Sequence, residues 1–164
     1  MFTFIHIGGT VSLIRTFSTE CQHHLTTSGL DNAMRQGQEL PTILVVEDDH
    51  LVLGMVEESL ADGGFDVAIA ASGEDAVALL KTKATSYRAL VTDINLPGRV
   101  DGWDIARLAR EIVATIPVVY MTGAAGDEWP SKGVPESILL TKPFAPAQLV
   151  TAVSQLLNAG GPTS

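Results

Sequence analysis

The stretch VTDINLP, residues 91–97, decides how the rest of the chain is interpreted. Residues 89–92 form an apolar run that predicts a buried strand, and Asp93 stands at its carboxyl end before Pro97 and Gly98 enforce a turn. In an open parallel sheet, ligands bind outside the carboxyl ends of the strands. The residues that follow the other predicted strands therefore indicate which chemistry the sheet can support.

Strands alternate with helical segments from Thr42 to Leu157. Further strands are predicted over residues 43–46, 65–69, 117–121 and 138–141. The predicted apolar faces of four helices are Leu51, Val52, Met55, Val56 and Leu60; Ala76, Leu79 and Leu80; Ile105, Leu108, Ala109, Ile112 and Val113; and Leu149, Val153, Leu156 and Leu157. Ser72 and Asp101 are expected N-caps. The alternation predicts an α/β fold, a doubly wound five-stranded parallel sheet in the flavodoxin-like order 2-1-3-4-5.

Polar residues follow three more of these strands. They are the acids Glu47, Asp48 and Asp49 after strand one, Thr122 after strand four, and Lys142-Pro143 after strand five. Strands one and three are neighbours in the predicted order, so Glu47 and Asp48 would converge with Asp93. Acids after a strand can also cap the next helix, and we expect Asp49 to do so, with His50 in the first turn.

Composition and charge restrict the classes of partner. The 164 residues leave room for one ordinary domain and a tail, and 46% of them are hydrophobic. The net charge of -9 opposes binding to nucleic acid or to an anionic membrane, and no apolar run is long enough to span a bilayer. A protein partner is therefore expected. The single Cys21 cannot form an intramolecular disulfide, so a cytoplasmic protein is expected.

The first part of the chain lacks this regular pattern. Residues 1–41 combine an apolar patch with a stretch rich in serine, threonine, glutamine and histidine, which predicts a disordered N-terminal extension. The first basic residue, Arg15, follows the apolar patch, which disfavours a secretory signal. The domain itself is predicted over residues 42–158, with a C-terminal tail over 159–164. No output domain is expected after Leu157.

The acid pair, the aspartate, the hydroxyl and the lysine, in that order at four strand ends, resemble the response-regulator receiver domain of two-component signalling. The resemblance covers about residues 42–157. It implies a phosphoryl acceptor, Asp93, which takes its phosphoryl group from a histidine kinase or a phosphotransfer protein. It also implies output through a downstream protein that the sequence does not identify, without nucleic-acid or membrane binding, and it leaves a homodimer open.

The resemblance assigns a role to each polar residue at the strand ends. Three carboxylates close together call for a cation, and Mg²⁺ prefers such oxygen ligands. Asp48 and Asp93 are expected as direct Mg²⁺ ligands, with the backbone carbonyl of Asn95 and with Glu47 through a water. Thr122 and Lys142 are expected to contact the phosphoryl group, and the Lys142–Pro143 peptide bond is expected to be cis.

The chain departs from the common family pattern in three places. The loop over residues 97–102 is one residue longer, and Leu139 occupies the position where the family usually carries an aromatic switch residue. Residues 122–136 contain three glycines and two prolines, which predicts a short or irregular fourth helix, as in an atypical single-domain subgroup. We therefore expect phosphorylation to move this segment and Trp129 with it, unless Trp129 is a fixed core residue.

Three other functions remain as alternatives. A Mg²⁺-dependent phosphatase with an aspartate nucleophile uses a similar acid cluster, but it usually has a second carboxylate two residues later, where this chain has Asn95. A nucleotide-binding module would have a glycine-rich loop after strand one. A receiver-like domain that accepts no phosphate would not need Asp48, Asp93, Thr122 and Lys142 together. A signalling protein rather than an enzyme is the expected function.

Overall fold

The computed structural model describes residues 39–124 and 126–159. The predicted extension over residues 1–41 lies outside the described residues except for its last three. The predicted tail over residues 159–164 lies outside them except for Ala159.

Five parallel strands form one sheet in the order β2-β1-β3-β4-β5. The strands are β1 Thr42–Val46, β2 Asp66–Ala70, β3 Tyr87–Asp93, β4 Val118–Thr122 and β5 Ile138–Thr141. The helices are α1 His50–Asp62, α2 Gly73–Lys83, α3 Gly102–Ile112, α4 Trp129–Lys132 and α5 Pro146–Ala159. The predicted fold class and strand order are confirmed.

The core lies on both faces of the sheet. Alternate residues of a strand point to opposite faces, so Leu44 and Val46 join one cluster while Ile43 and Val45 join the other. The first cluster includes residues of α2 and α3, and the second includes residues of α1 and α5. Burial on both faces explains why β1 is apolar without alternation.

Side-chain caps fix where three helices begin. Asp49 accepts hydrogen bonds from the backbone N–H groups of Leu51 and Val52, and Ser72 accepts one from Asp75. Asp101 forms a reciprocal capping box with Asp104. These bonds satisfy N–H groups that have no partner inside the helix. The predicted caps are confirmed, as is the place of His50 in the first turn of α1.

Two residues of the predicted apolar faces are exposed instead. Leu51 is 86% exposed, and Leu53 is buried in its place. Leu51 lies in the first turn of α1. Ile112 is 43% exposed because it is the last residue of α3, whose buried face is Trp103, Ile105, Ala106 and Ala109. Helical periodicity gave the correct helices and misplaced residues at their ends.

Candidate functional site

Three carboxylates converge where β1 and β3 end. Glu47 and Asp48 follow β1, Asp93 is the last residue of β3, and one carboxylate oxygen of each lies within 4.8 Å of the others. Glu47 is 1% exposed and Asp93 7%, whereas Asp48 is exposed. The strand order brings these residues together, because β1 and β3 are hydrogen-bonded neighbours. The predicted convergence is observed.

Lys142 brings a positive charge to this cluster from the end of β5. Its ammonium donates to Glu47 Oε2 over 2.7 Å and to Asp93 Oδ2 over 2.9 Å. The backbone N–H of Lys142 donates to the carbonyl of Thr122 over 2.7 Å, which ties the end of β5 to the end of β4. The Lys142–Pro143 peptide bond is cis.

Burial and charge act against each other at this ion pair. Burial raises the pKa of Glu47, and the hydrogen bonds from Lys142 and from the backbone N–H of Asp49 lower it only in part. Burial by itself would lower the pKa of Lys142, but its bonds to Glu47 and Asp93 raise that pKa overall. The lysine therefore stays charged in the folded protein across the physiological range.

Glycine allows a close backbone approach beside Asp93. A Cβ atom on Gly102 would lie 2.1 Å from the carbonyl oxygen of Asp93, and the N–H of Gly102 donates to the carbonyl of Ile94 over 3.0 Å. The side chain of Asp93 accepts a hydrogen bond from the N–H of Asn95 over 3.1 Å. The start of α3 and the loop after β3 thus fix the backbone that carries Asp93.

Thr122 lies at the same edge of the sheet. It is fully buried at the end of β4, pairs with Thr141 in the sheet register, and accepts a hydrogen bond from the N–H of Ala124 over 3.1 Å. Each residue that the sequence singled out therefore reaches this edge. The assigned roles of these residues, Glu47, Asp48, Asp93, Asn95, Thr122 and Lys142, stay predictions.

The longer loop after β3 is fastened to α2, which the sequence did not predict. Glu74 Oε1 accepts a hydrogen bond from the N–H of Arg99 over 3.1 Å. Gly98 beside it has a φ of 116°, a conformation that favours glycine, and a Cβ on Gly98 would meet the Glu74 carboxylate at 2.9 Å. Glu74 lies in the first turn of α2, where a negative charge interacts favourably with the helix dipole. Its place in the sequence therefore did not indicate a contact with the loop. Only the Gly98 position hinted at a close contact.

The fourth helix, in the segment between β4 and β5, is short, as predicted. A 3-10 turn over Gly126–Glu128 leads into the four-residue helix α4. Three polar contacts fasten the segment: Trp129 Nε1 to Ser137 Oγ at 3.0 Å, the N–H of Val134 to the Tyr120 hydroxyl at 3.2 Å, and Arg110 Nη2 to the carbonyl of Pro135 at 2.9 Å. Trp129 is half-buried against the core. The segment has more attachments than its few apolar residues indicated.

An open cleft of about 480 Å³ connects this segment with the acid cluster. Asp48 and Asn95 line it, and so do Glu128 and Lys132. Asp101 and Trp103 are also lining residues. Lys132 and Glu128 form an ion pair in which both side chains are half exposed.

Comparison with known proteins identifies the family. The model of the response regulator receiver domain matches residues 43–154. Among curated proteins, the transcriptional regulatory protein PrrA of Mycobacterium tuberculosis is 34% identical over 135 residues, which are 80% of this chain and 56% of that protein. CusR of Escherichia coli is 33% identical over 120 residues, 72% of this chain and 52% of that protein. The chain thus spans about half the length of these relatives.

Solved receiver structures match nearly their whole length. A response regulator receiver protein from Sinorhizobium medicae is 50% identical, with a TM-score of 0.72 over 74% of this chain and 97% of that one. The receiver domain of a Pseudomonas aeruginosa sensor histidine kinase, solved with a magnesium ion in its active site cleft, is 26% identical, with a TM-score of 0.63 over 73% and 99%.

No described helix has both the length and the apolar character needed to cross a membrane.

The matched family model, the strand order and the carboxylate cluster at the strand ends all indicate the same family. The chain belongs to the response regulator receiver domains of bacterial two-component signal transduction.

Proposed function

We propose that the domain accepts a phosphoryl group on Asp93 from the phosphohistidine of a kinase or phosphotransfer protein. The observation that carries the proposal is the pair of contacts from Lys142 to Glu47 and Asp93, at 2.7 and 2.9 Å. A fixed ammonium beside a carboxylate provides the charge-assisted donor that a bound phosphoryl group needs. The domain is then a signalling switch rather than a turnover enzyme.

The transfer balances in bonds and charge. A carboxylate oxygen of Asp93 forms a bond to phosphorus while the phosphorus–nitrogen bond of the donor breaks, and the electron pair of that bond stays on the imidazole nitrogen. The product is a mixed anhydride on Asp93. Lys142 loses its contact with the free carboxylate and gains phosphoryl oxygens as acceptors, and Thr122 offers a hydroxyl from the end of β4.

The acid cluster fits a hard divalent cation. When all groups are ionised, three carboxylates and one ammonium leave two uncompensated negative charges. Like charges about 4 Å apart repel by on the order of 4 kcal/mol at an effective dielectric of about 20. Asp48 and Asp93 would hold Mg²⁺ directly, with the Asn95 carbonyl and with Glu47 through a water. Mg²⁺, when bound, would neutralise charge on the transferring phosphoryl oxygens.

Acetyl phosphate can replace the protein donor in the test. Wild-type protein incubated with acetyl phosphate and Mg²⁺ should gain one phosphoryl mass by intact mass spectrometry, as acetate leaves. Asp93→Asn should gain none, and excess chelator should abolish the gain in the wild type. The Asn side chain keeps the size of Asp93 and removes its nucleophilic charge.

Two results would contradict the proposal. Equal labelling of wild type and Asp93→Asn would place the phosphoryl group on another residue. Steady release of inorganic phosphate over many turnovers, without a stable labelled protein, would instead favour the phosphatase. Asn95 stands where such an enzyme usually has its general acid, so we expect slow loss of the label.

A further inference from the structure

The cleft beside the acid cluster has an uneven distribution of charge. Asp48, Asp101 and Glu128 are acids that line it, and Lys132 alone among its described lining residues carries a positive charge. The whole chain has a net charge of -9. A phosphodonor is an anion, so it approaches a surface that repels it except at the lysines.

The two lysines near the site are bound in different ways. Lys142 is held by two carboxylates, with only 21% of its side chain exposed. Within the described part of the chain, Lys132 forms an ion pair with Glu128, and 51% of each side chain in this pair is exposed. Exposed ion pairs contribute little to stability, so Lys132 can exchange Glu128 for another anion at small cost. It is the cation of the cleft that an arriving ligand can recruit.

The irregular segment is the reason that Lys132 reaches the cleft. The one-turn helix α4 is fastened by the bond from Trp129 to Ser137. It places Glu128 and Lys132 one turn apart, and both line the cleft together with Asn95. The N–H of Gly133, the next residue, donates to the carbonyl of Trp129 over 2.8 Å and ends the turn. The position of Lys132 is therefore set by fixed contacts on both sides.

We propose that Lys132 selects the phosphodonor by binding its negative charge at the mouth of the cleft, with Glu128 as the competing anion. This inference rests on the proposed function, because it concerns the donor for Asp93. Lys132 recruits the donor, whereas Lys142 contacts the phosphoryl group that is transferred. A donor with more negative charge gains more from Lys132.

The test compares labelling rates of Lys132→Gln, Lys132→Arg and wild type with two small donors. Acetyl phosphate is a dianion at neutral pH, and phosphoramidate carries less net negative charge. Lys132→Gln should slow labelling by acetyl phosphate by about threefold or more and labelling by phosphoramidate by less. Lys132→Arg should keep the wild-type rate, and Glu128→Gln should increase it. Higher ionic strength should narrow the difference between wild type and Lys132→Gln.

Lys83→Gln is the matched control, because it removes the same charge from an exposed position at the far end of α2. It should leave both rates unchanged. The affinity for Mg²⁺, measured by titration of tryptophan emission, should be equal in wild type and Lys132→Gln. Equal affinity would show that slower labelling comes from weaker donor binding and not from a disturbed acid cluster.

Different results would overturn the role of Lys132 and the proposed function. A wild-type protein that gains no phosphoryl mass overturns the proposed function. Normal labelling that is equally fast in wild type and Lys132→Gln overturns only the role of Lys132. Equal slowing by Lys132→Gln and Lys132→Arg also overturns it, because the charge would then not be the cause.

Discussion

The ammonium of Lys142 lies 2.7 Å from Glu47 Oε2, although 95 residues separate the two in the chain. Hydrogen bonds from Lys142 to Glu47 and Asp93 outweigh burial and raise the pKa of the lysine. A raised pKa means that the pair stabilises the fold fully below the ordinary lysine pKa of about 10.4, and that this stability is lost as the pH rises through the folded value.

The free energy of unfolding of the metal-free protein should therefore fall more steeply at alkaline pH in wild type than in Lys142→Met. Burial also raises the pKa of Tyr87 and Tyr120, so their ionisation destabilises both proteins in the same pH range. The quantity to measure is thus the difference between the unfolding free energies of the two proteins, obtained from urea unfolding at each pH. If both free energies fell in parallel as the pH rises, the charge of the lysine would not stabilise the fold.

Alanine substitutions of Asp48 and Asp49 should affect different properties, metal binding in the first case and helix capping in the second. Asp49→Ala removes the acceptor for the N–H groups of Leu51 and Val52 and should cost about 1 kcal/mol of unfolding free energy. Asp48→Ala should weaken Mg²⁺ binding by about tenfold or more, since even groups that only support metal ligands contribute about 10- to 100-fold. Calorimetric titration and urea unfolding measure the two effects. Equal loss of Mg²⁺ affinity in both variants would contradict the assignment of Asp48, rather than Asp49, as the metal ligand.

Trp129 should report phosphorylation. Its indole donates to Ser137 from the segment that begins at Thr122, so a change at Thr122 is transmitted through this backbone. Beryllofluoride with Mg²⁺ should change tryptophan emission in wild type and in Trp103→Phe, and much less in Trp129→Phe. A signal that survives Trp129→Phe and vanishes in Trp103→Phe would show that Trp103, which lines the cleft, reports the ion instead.

Gly102 should be intolerant of any side chain. A Cβ at this position would lie 2.1 Å from the carbonyl oxygen of Asp93, so Gly102→Ala should lower the unfolding free energy by more than about 2 kcal/mol. Gly54→Ala is the control, since nothing lies within 4 Å of the added Cβ in α1. That change should stabilise the protein by about 0.5 to 1 kcal/mol. Similar thermal midpoints for the two variants would contradict the close approach.

The sequence predicted those features that depend on short stretches. Buried parallel strands are continuous apolar runs, and the polar residues directly after them mark the edge where Glu47, Asp93 and Lys142 meet. The caps Asp49, Ser72 and Asp101 were predictable for the same reason, because a cap bonds to residues two or three positions away.

Contacts between distant residues could not be predicted in this way. Nothing local links Glu74 to Arg99 or Arg110 to Pro135, each pair being 25 residues apart. The exposure of Leu51 also depends on what packs against the first turn of α1, which helical periodicity does not determine. The segment after β4 has more contacts than its few apolar residues indicate, because those contacts are polar and reach residues outside the segment.

The site collects its residues from the ends of β1, β3, β4 and β5, the last of which ends at Thr141. During synthesis on the ribosome, Glu47, Asp48 and Asp93 leave the exit tunnel before Lys142 does. A nascent chain that ends before Lys142 consequently carries the carboxylates without the ammonium that compensates them. The charge balance of the cluster is then a property of the finished domain.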